Sequence, residues 1–209
     1  MTVYEYGNKK TATVLLQPVD GYSLSVIDNE IAAICDLSSV DFRLIAVKVD
    51  SWNEDLSPWK APPVFGNEGF GDGALSTLEY IAGLCKDSGA TYYLGGYSLA
   101  GLFSLWAACR TDIFAGIAAV SPSVWFPGFI DDLKGHKLSC GAVYLSLGDK
   151  EDKVKNPVIS MTGNYIREIY GMLTEQGTDT TLEWNQGNHF KEPDIRVARA
   201  FAWLLNNRK

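Results

Sequence analysis

The segment Gly96-Tyr97-Ser98-Leu99-Ala100 sets a serine between two small residues, at the junction of a strand-like run (91 to 97) and a helix-like run (98 to 110). A strand that ends in Gly-x-Ser-x-small and passes at once into a helix makes a sharp turn that exposes the serine hydroxyl. Strand and helix approach so closely there that the residues two before and two after must be small, which Gly96 and Ala100 are. The free amide groups opening the helix lie beside the hydroxyl. Leu99 N–H can therefore donate to an oxyanion, and the helix dipole favours developing negative charge. The pattern predicts nucleophilic attack by Ser98.

A serine nucleophile needs a base, and the side chain that titrates near neutrality is histidine. The chain has two. His136 precedes the apolar run 141 to 148 and is expected at the amino end of that strand, on the surface and across the sheet from Ser98. His189, in "WNQGNHFKEPD", follows the last strand-like run and is expected at the carboxyl end, with Ser98. His189 is the candidate base.

An imidazole in that role needs a carboxylate on its other nitrogen to orient it and stabilise its cation. "LSLGDKEDK" offers Asp149, Glu151 and Asp152 just beyond the strand ending at Gly148. Glu151 ranks first because, three residues past the strand, it can turn back towards the histidine loop; Asp152 is second and Asp149 third. The order serine, acid, histidine is that of a hydrolase built on a parallel sheet. A second oxyanion donor is expected from the loop "LLQPVDGYS". Pro18 has no N–H, so Val19 is the first candidate and Asp20 the next.

These residues need a scaffold that gathers strand ends. Apolar runs at 11 to 19, 42 to 50, 91 to 97, 114 to 121, 141 to 148 and 180 to 186 alternate with helical periodicity at about 27 to 37, 73 to 88, 98 to 110, 157 to 176 and 193 to 207. That alternation predicts an α/β fold in three layers, with six mostly parallel strands in one domain spanning 1 to 209 and no large cap. Residues 51 to 73, with three prolines and four glycines, are expected as a long ordered loop over the crevice at the strand ends. Trp59 from that loop, Trp125 from "SPSVWFPGF" and Tyr97 beside the serine are the candidate substrate-binding residues. Asp50, Glu54, Asp55, Glu68 and Asp72 would make the rim acidic and disfavour strongly anionic substrates.

The net charge of −7 and the scattered lysines and arginines argue against a nucleic-acid partner. No window approaches the roughly 18 consecutive apolar residues of a membrane span, and "MTVYEYGNKK" lacks the pattern of a cleaved leader, so a cytoplasmic protein without membrane attachment is expected. Cys35, Cys85, Cys109 and Cys140 lie in apolar periodic segments without CxxC spacing, which predicts reduced core thiols and no metal site.

"GGYSLAG", "LSLGDKEDK" and "GNHF", in that order, resemble the esterase D and enterochelin esterase branch of the α/β-hydrolases, and the likeness runs from about residue 11 to the end. The resemblance implies a serine esterase acting on a small-molecule ester without metal or organic cofactor, with Ser98, His189 and Glu151 at the matching positions. Ala100 stands where members commonly have glycine. "QPVDG" lacks the His-Gly signature of many lipases, and the strands that usually begin the sheet are expected to be missing or reduced. An acyltransferase or thioesterase would use the same triad, and a non-catalytic binding module could keep the fold; oligomeric state is left open.

Overall fold

The computed structural model describes residues 1–207. Seven strands form one sheet: β1 (Thr2–Gly7), β2 (Thr13–Val19), β3 (Arg43–Lys48), β4 (Thr91–Tyr97), β5 (Phe114–Val120), β6 (Ala142–Gly148) and β7 (Asp179–Asn185), in the order β1-β3-β2-β4-β5-β6-β7. All pairs are parallel except β1 with β3. The six expected strands are all present.

β1 is an addition to that expectation. Its sequence TVYEYG is rich in β-formers, but as an edge strand it is nowhere fully buried, so no alternation of apolar and polar residues marks it.

The helices are α1 (Gly21–Ser25), α2 (Ile27–Leu37), α3 (Trp52–Asp55), α4 (Ala74–Ala82), α5 (Leu99–Ala108), α6 (Phe129–Lys134), α7 (Thr162–Glu175) and α8 (Pro193–Asn206). The interior strands are apolar on both faces because both are covered. In β2, Val14 and Leu16 join one core with α4, α5 and α7, while Leu15 and Val19 join the other with α2 and α8. α5 is buried at all ten positions. α7 stops before Gly177, whose φ of 78° suits the left-handed residue that closes a helix. α8 opens on Pro193, which fits the first turn because its missing N–H has no acceptor there.

Three expectations need correction. The long loop 51 to 73 contains α3 and an antiparallel bridge between Ala61 and Phe70, so it is a folded excursion. The helix expected over 73 to 88 ends at Ala82. Cys35 is exposed, and Cys85, Cys109 and Cys140 are half-buried; all four are free thiols. Burial pushes the thiols of Cys85 and Cys140 up to about 12 and that of Cys109 to about 11, which keeps them protonated and unreactive.

Candidate active site

Strands β4, β5, β6 and β7 end side by side, and the loop after each delivers one polar residue to the same point: Ser98, Ser121, Glu151 and His189. Ser98 has φ 58° and ψ −118°, a strained conformation for a residue with a side chain. Its backbone is held from three sides. Ser98 N–H donates to Val120 O at 3.0 Å, and Ser98 O accepts from Leu102 N–H and Ser123 N–H, each at 3.1 Å. A Cβ on Gly96 would sit 2.5 Å from the Ala100 Cβ, which is why that position is glycine. The turn therefore fixes the hydroxyl before any partner is considered.

Ser98 Oγ lies 3.0 Å from His189 Nε2, and His189 Nδ1 lies 2.7 Å from Glu151 Oε2. The other carboxylate oxygen, Oε1, accepts from Gly148 N–H at 2.7 Å, from Ser121 Oγ at 2.8 Å and from Arg196 Nη1 at 3.0 Å. Glu151 is 6% exposed. Burial pushes its carboxyl upward, but the hydrogen bond and charge of His189, with donors from Ser121 and Gly148, outweigh that and hold it below the ordinary carboxylate range. It is thus an anion at neutral pH, and a positioned one.

Of the three acids, Glu151 alone touches His189. Asp149 Oδ1 accepts from Gly187 N–H at 2.8 Å, and Lys150 N–H donates to Gly187 O, so this stretch clips the histidine loop to β6. Asp152 lies against Gly163 at the start of α7. His136 is exposed, 2.7 Å from Asp132 O, and takes no part in the site.

Arg196 escaped the sequence reading. It sits in α8, where the spacing of Val197, Phe201 and Leu204 marks the apolar face and an arginine reads as solvated. It is 2% exposed. Besides Glu151, its Nη1 reaches Ser121 Oγ (3.3 Å) and Tyr97 Oη (3.2 Å), and its Nη2 reaches the carbonyls of Gln186 (3.3 Å) and Asn188 (3.1 Å). One guanidinium thus ties together the loops carrying all three residues of the hydrogen-bonded chain. Ser121, with φ 42°, is strained into place between them. Ser123 is a further neighbour, its hydroxyl 3.2 Å from Ser98 Oγ.

Leu99 is the first residue of α5, and its N–H has no acceptor within the helix. Val19 is differently placed from the expectation. Its carbonyl accepts Val49 N–H on the β3 side, and because N–H and C=O of one extended residue point the same way, its own N–H faces β3 and turns away from β4. Asp20 is extended, with φ −97° and ψ −173°, so its N–H turns to the β4 side. The Asp20 carboxylate is occupied in capping α1, accepting from Ser23 N–H at 2.7 Å.

Ser98 and His189 open into a cavity of about 440 Å³. Its lining comes from the segments that follow the strand ends: Pro122 and Trp125 after β5, Lys150 and Val154 after β6, Asn188 and Phe190 after β7, with Phe65, Ile159 and Thr162. Trp125 is therefore in the lining, but Tyr97 and Trp59 are not. The Tyr97 hydroxyl donates to His189 O at 2.7 Å, and the Trp59 indole N–H donates to Pro127 O at 2.9 Å while its ring packs on Phe126. The expected acidic rim is also absent from this lining. Asp50 pairs with the amino terminus, Asp55 accepts from Asp50 and Ser51 N–H, and Asp72 pairs with Lys60. The charged residues of the cavity are Lys150 and the buried Glu151. Among the described residues, no helix is long and apolar enough to cross a membrane, and no cluster of His, Cys, Asp and Glu could hold a metal ion.

No family model and no curated protein matches the chain. Solved structures do. The siderophore hydrolase EstA from Aspergillus nidulans is 15% identical with a TM-score of 0.73, over 100% of this chain and 95% of its own. An IroE-like serine hydrolase from Shewanella oneidensis is 15% identical with a TM-score of 0.77, over 98% of this chain and 75% of its own. The enterobactin esterase FES from Shigella flexneri is 13% identical with a TM-score of 0.63, over 97% of this chain but only 55% of its own. At such identities the likeness is one of architecture, and with the sheet order and the serine turn after β4 it establishes that the chain has the α/β-hydrolase fold.

Proposed function

We propose that this protein is a serine esterase that cleaves a carboxylic ester through an acyl-enzyme intermediate, with no cofactor. The observation that carries the reading is the unbroken chain from Ser98 Oγ through His189 to Glu151, opening into an apolar cavity. Ser98 Oγ attacks the acyl carbon as its proton passes to His189 Nε2, and the ionised Glu151 stabilises the imidazolium on the other nitrogen. The oxyanion takes hydrogen bonds from Leu99 N–H and from Asp20 N–H, the latter replacing Val19 on the direction of the backbone. The ester C–O bond breaks as His189 returns the proton to the departing alcohol. Water then attacks the acyl-serine, again through His189, and releases the acid.

One of the similar structures is named a siderophore hydrolase and another an enterobactin esterase, which agrees with ester chemistry in this fold. The test is hydrolysis of p-nitrophenyl acetate together with labelling by a fluorophosphonate. Both are expected of the wild-type chain, and both are expected to vanish in Ser98→Ala. Equal turnover by the two chains would defeat the proposal, as would a wild-type chain that neither turns over nor labels.

A further inference from the structure

Phe190 is the most exposed large hydrophobic side chain among the described residues, at 84%. Leaving a phenyl ring in water is unfavourable, and exposed apolar side chains grouped beside a reactive centre mark a contact to be made. The ring is held. Phe190 N–H donates to Asn188 Oδ1 at 3.0 Å, and the ring stands edge-on to the His189 imidazole, 5.5 Å between centroids at 87°. It lines the same cavity as Ser98, and two other exposed apolar side chains, Val154 (42%) and Phe65 (55%), belong to that lining.

We propose that Phe190 forms the subsite for the leaving alcohol, and that the substrate is an ester of an apolar alcohol several carbons long. This rests on the esterase reading above and adds to it. His189 Nε2 must deliver its proton to the departing oxygen, so that oxygen lies within about 3 Å of Nε2 when the bond breaks. The first carbons of the alcohol then run across the imidazole, and the side chain next along the loop is Phe190. The acyl group is left to the part of the lining that follows β5, Pro122 and Trp125. The division follows from where the proton goes.

Two ester series separate these parts: methyl, butyl and hexyl acetate vary the alcohol, and methyl acetate, butyrate and hexanoate vary the acid. The wild-type kcat/KM is expected to climb along the alcohol series. Phe190→Ala should cut the hexyl-to-methyl acetate ratio of kcat/KM roughly tenfold, the scale on which apolar pockets discriminate methylenes. The hexanoate-to-acetate ratio should move much less, and Phe190→Leu should recover most of the alcohol preference. If Phe190→Ala slows every ester by one common factor, the ring merely steadies His189 and this proposal is overturned while the esterase reading stands. Equal loss of both ratios would overturn it likewise. A wild-type chain inert to all five esters would instead overturn the esterase reading, and this subsite with it.

Discussion

The Arg196 guanidinium stands 3.0 Å from Glu151 Oε1, the carboxylate oxygen that His189 leaves free, and the pair is buried at 3% and 5% side-chain exposure. Such a cation has no route to water, so its energy depends on meeting every acceptor around it. It meets Glu151, Ser121, Tyr97 and two carbonyls of the histidine loop. Arg196→Lys keeps the charge but loses the planar fork that spans those acceptors, and should lower kcat at least roughly tenfold with little change in KM. Arg196→Met removes a positive charge beside the Glu151–His189 pair. That leaves the Glu151 carboxylate buried without its cation, and kcat should fall further than in Arg196→Lys. A thermal melt of each variant, set beside its kcat and KM, separates this positioning role from simple loss of fold.

The three neighbouring carboxylates should separate by the size of their effects. Glu151→Gln keeps the shape but can leave the imidazole in the wrong tautomer, and a fall in kcat of about 10³- to 10⁴-fold is expected. Asp149→Asn loosens the hydrogen bond to Gly187 N–H, one atom pair in the loop clip, and should cost roughly tenfold or less. Asp152→Asn should leave kcat within about twofold and act on stability, since its surroundings are those of α7. Steady-state kinetics with one p-nitrophenyl ester suffices. A larger loss from Asp149 or Asp152 than from Glu151 would reassign the acid.

Gly96 and Ala100 test the steric basis of the serine turn. A Cβ at position 96 would meet the Ala100 Cβ at 2.5 Å, with the rest of Ala100 at 3.3 Å and beyond. Gly96→Ala should therefore destabilise by about 1 to 3 kcal/mol and displace Ser98. Ala100→Gly alone should cost about 1 kcal/mol from helix propensity. The double variant should be more stable than the sum of the two, because the clashing atom is gone. Urea melts of the four proteins give the coupling directly, and strict additivity would refute the clash.

How much of this was legible in the residues follows from how local each signal is. The serine turn and the five inner strands, β2 to β6, carry short-range marks: small residues at fixed offsets, and apolar runs long enough to be buried on both faces. His189 was reachable by elimination between two histidines. Arg196 and Ser121 were not, because their role comes from four loops converging in space, and no spacing along the chain encodes that convergence. Tyr97 and Trp59 misled for a related reason. An aromatic near a site reads as a wall, but here the polar end of each ring is spent on a backbone carbonyl. The direction of an N–H at Val19 is likewise a property of strand pairing that only the register reveals.

Glu30 gives a prediction about stability that is independent of catalysis. It lies on α2, 2% exposed, accepting from Gln17 Nε2 of β2 at 3.2 Å, beside a void of about 10 Å³. Burial pushes its carboxyl up, the Gln17 hydrogen bond opposes this and Asp194 adds to it, for a result of about 8 against an ordinary 4.5. Between those two values the folded chain binds more protons than the unfolded one, so stability falls as pH rises from near 4.5 and levels off above about 8. Glu30→Gln keeps the volume and an amide that does not titrate. The variant should match the wild type near pH 5 and exceed it at pH 8 by on the order of a few kcal/mol. Urea melts of both proteins across that range check it, and parallel pH profiles would mean that Glu30 is already ionised in the fold.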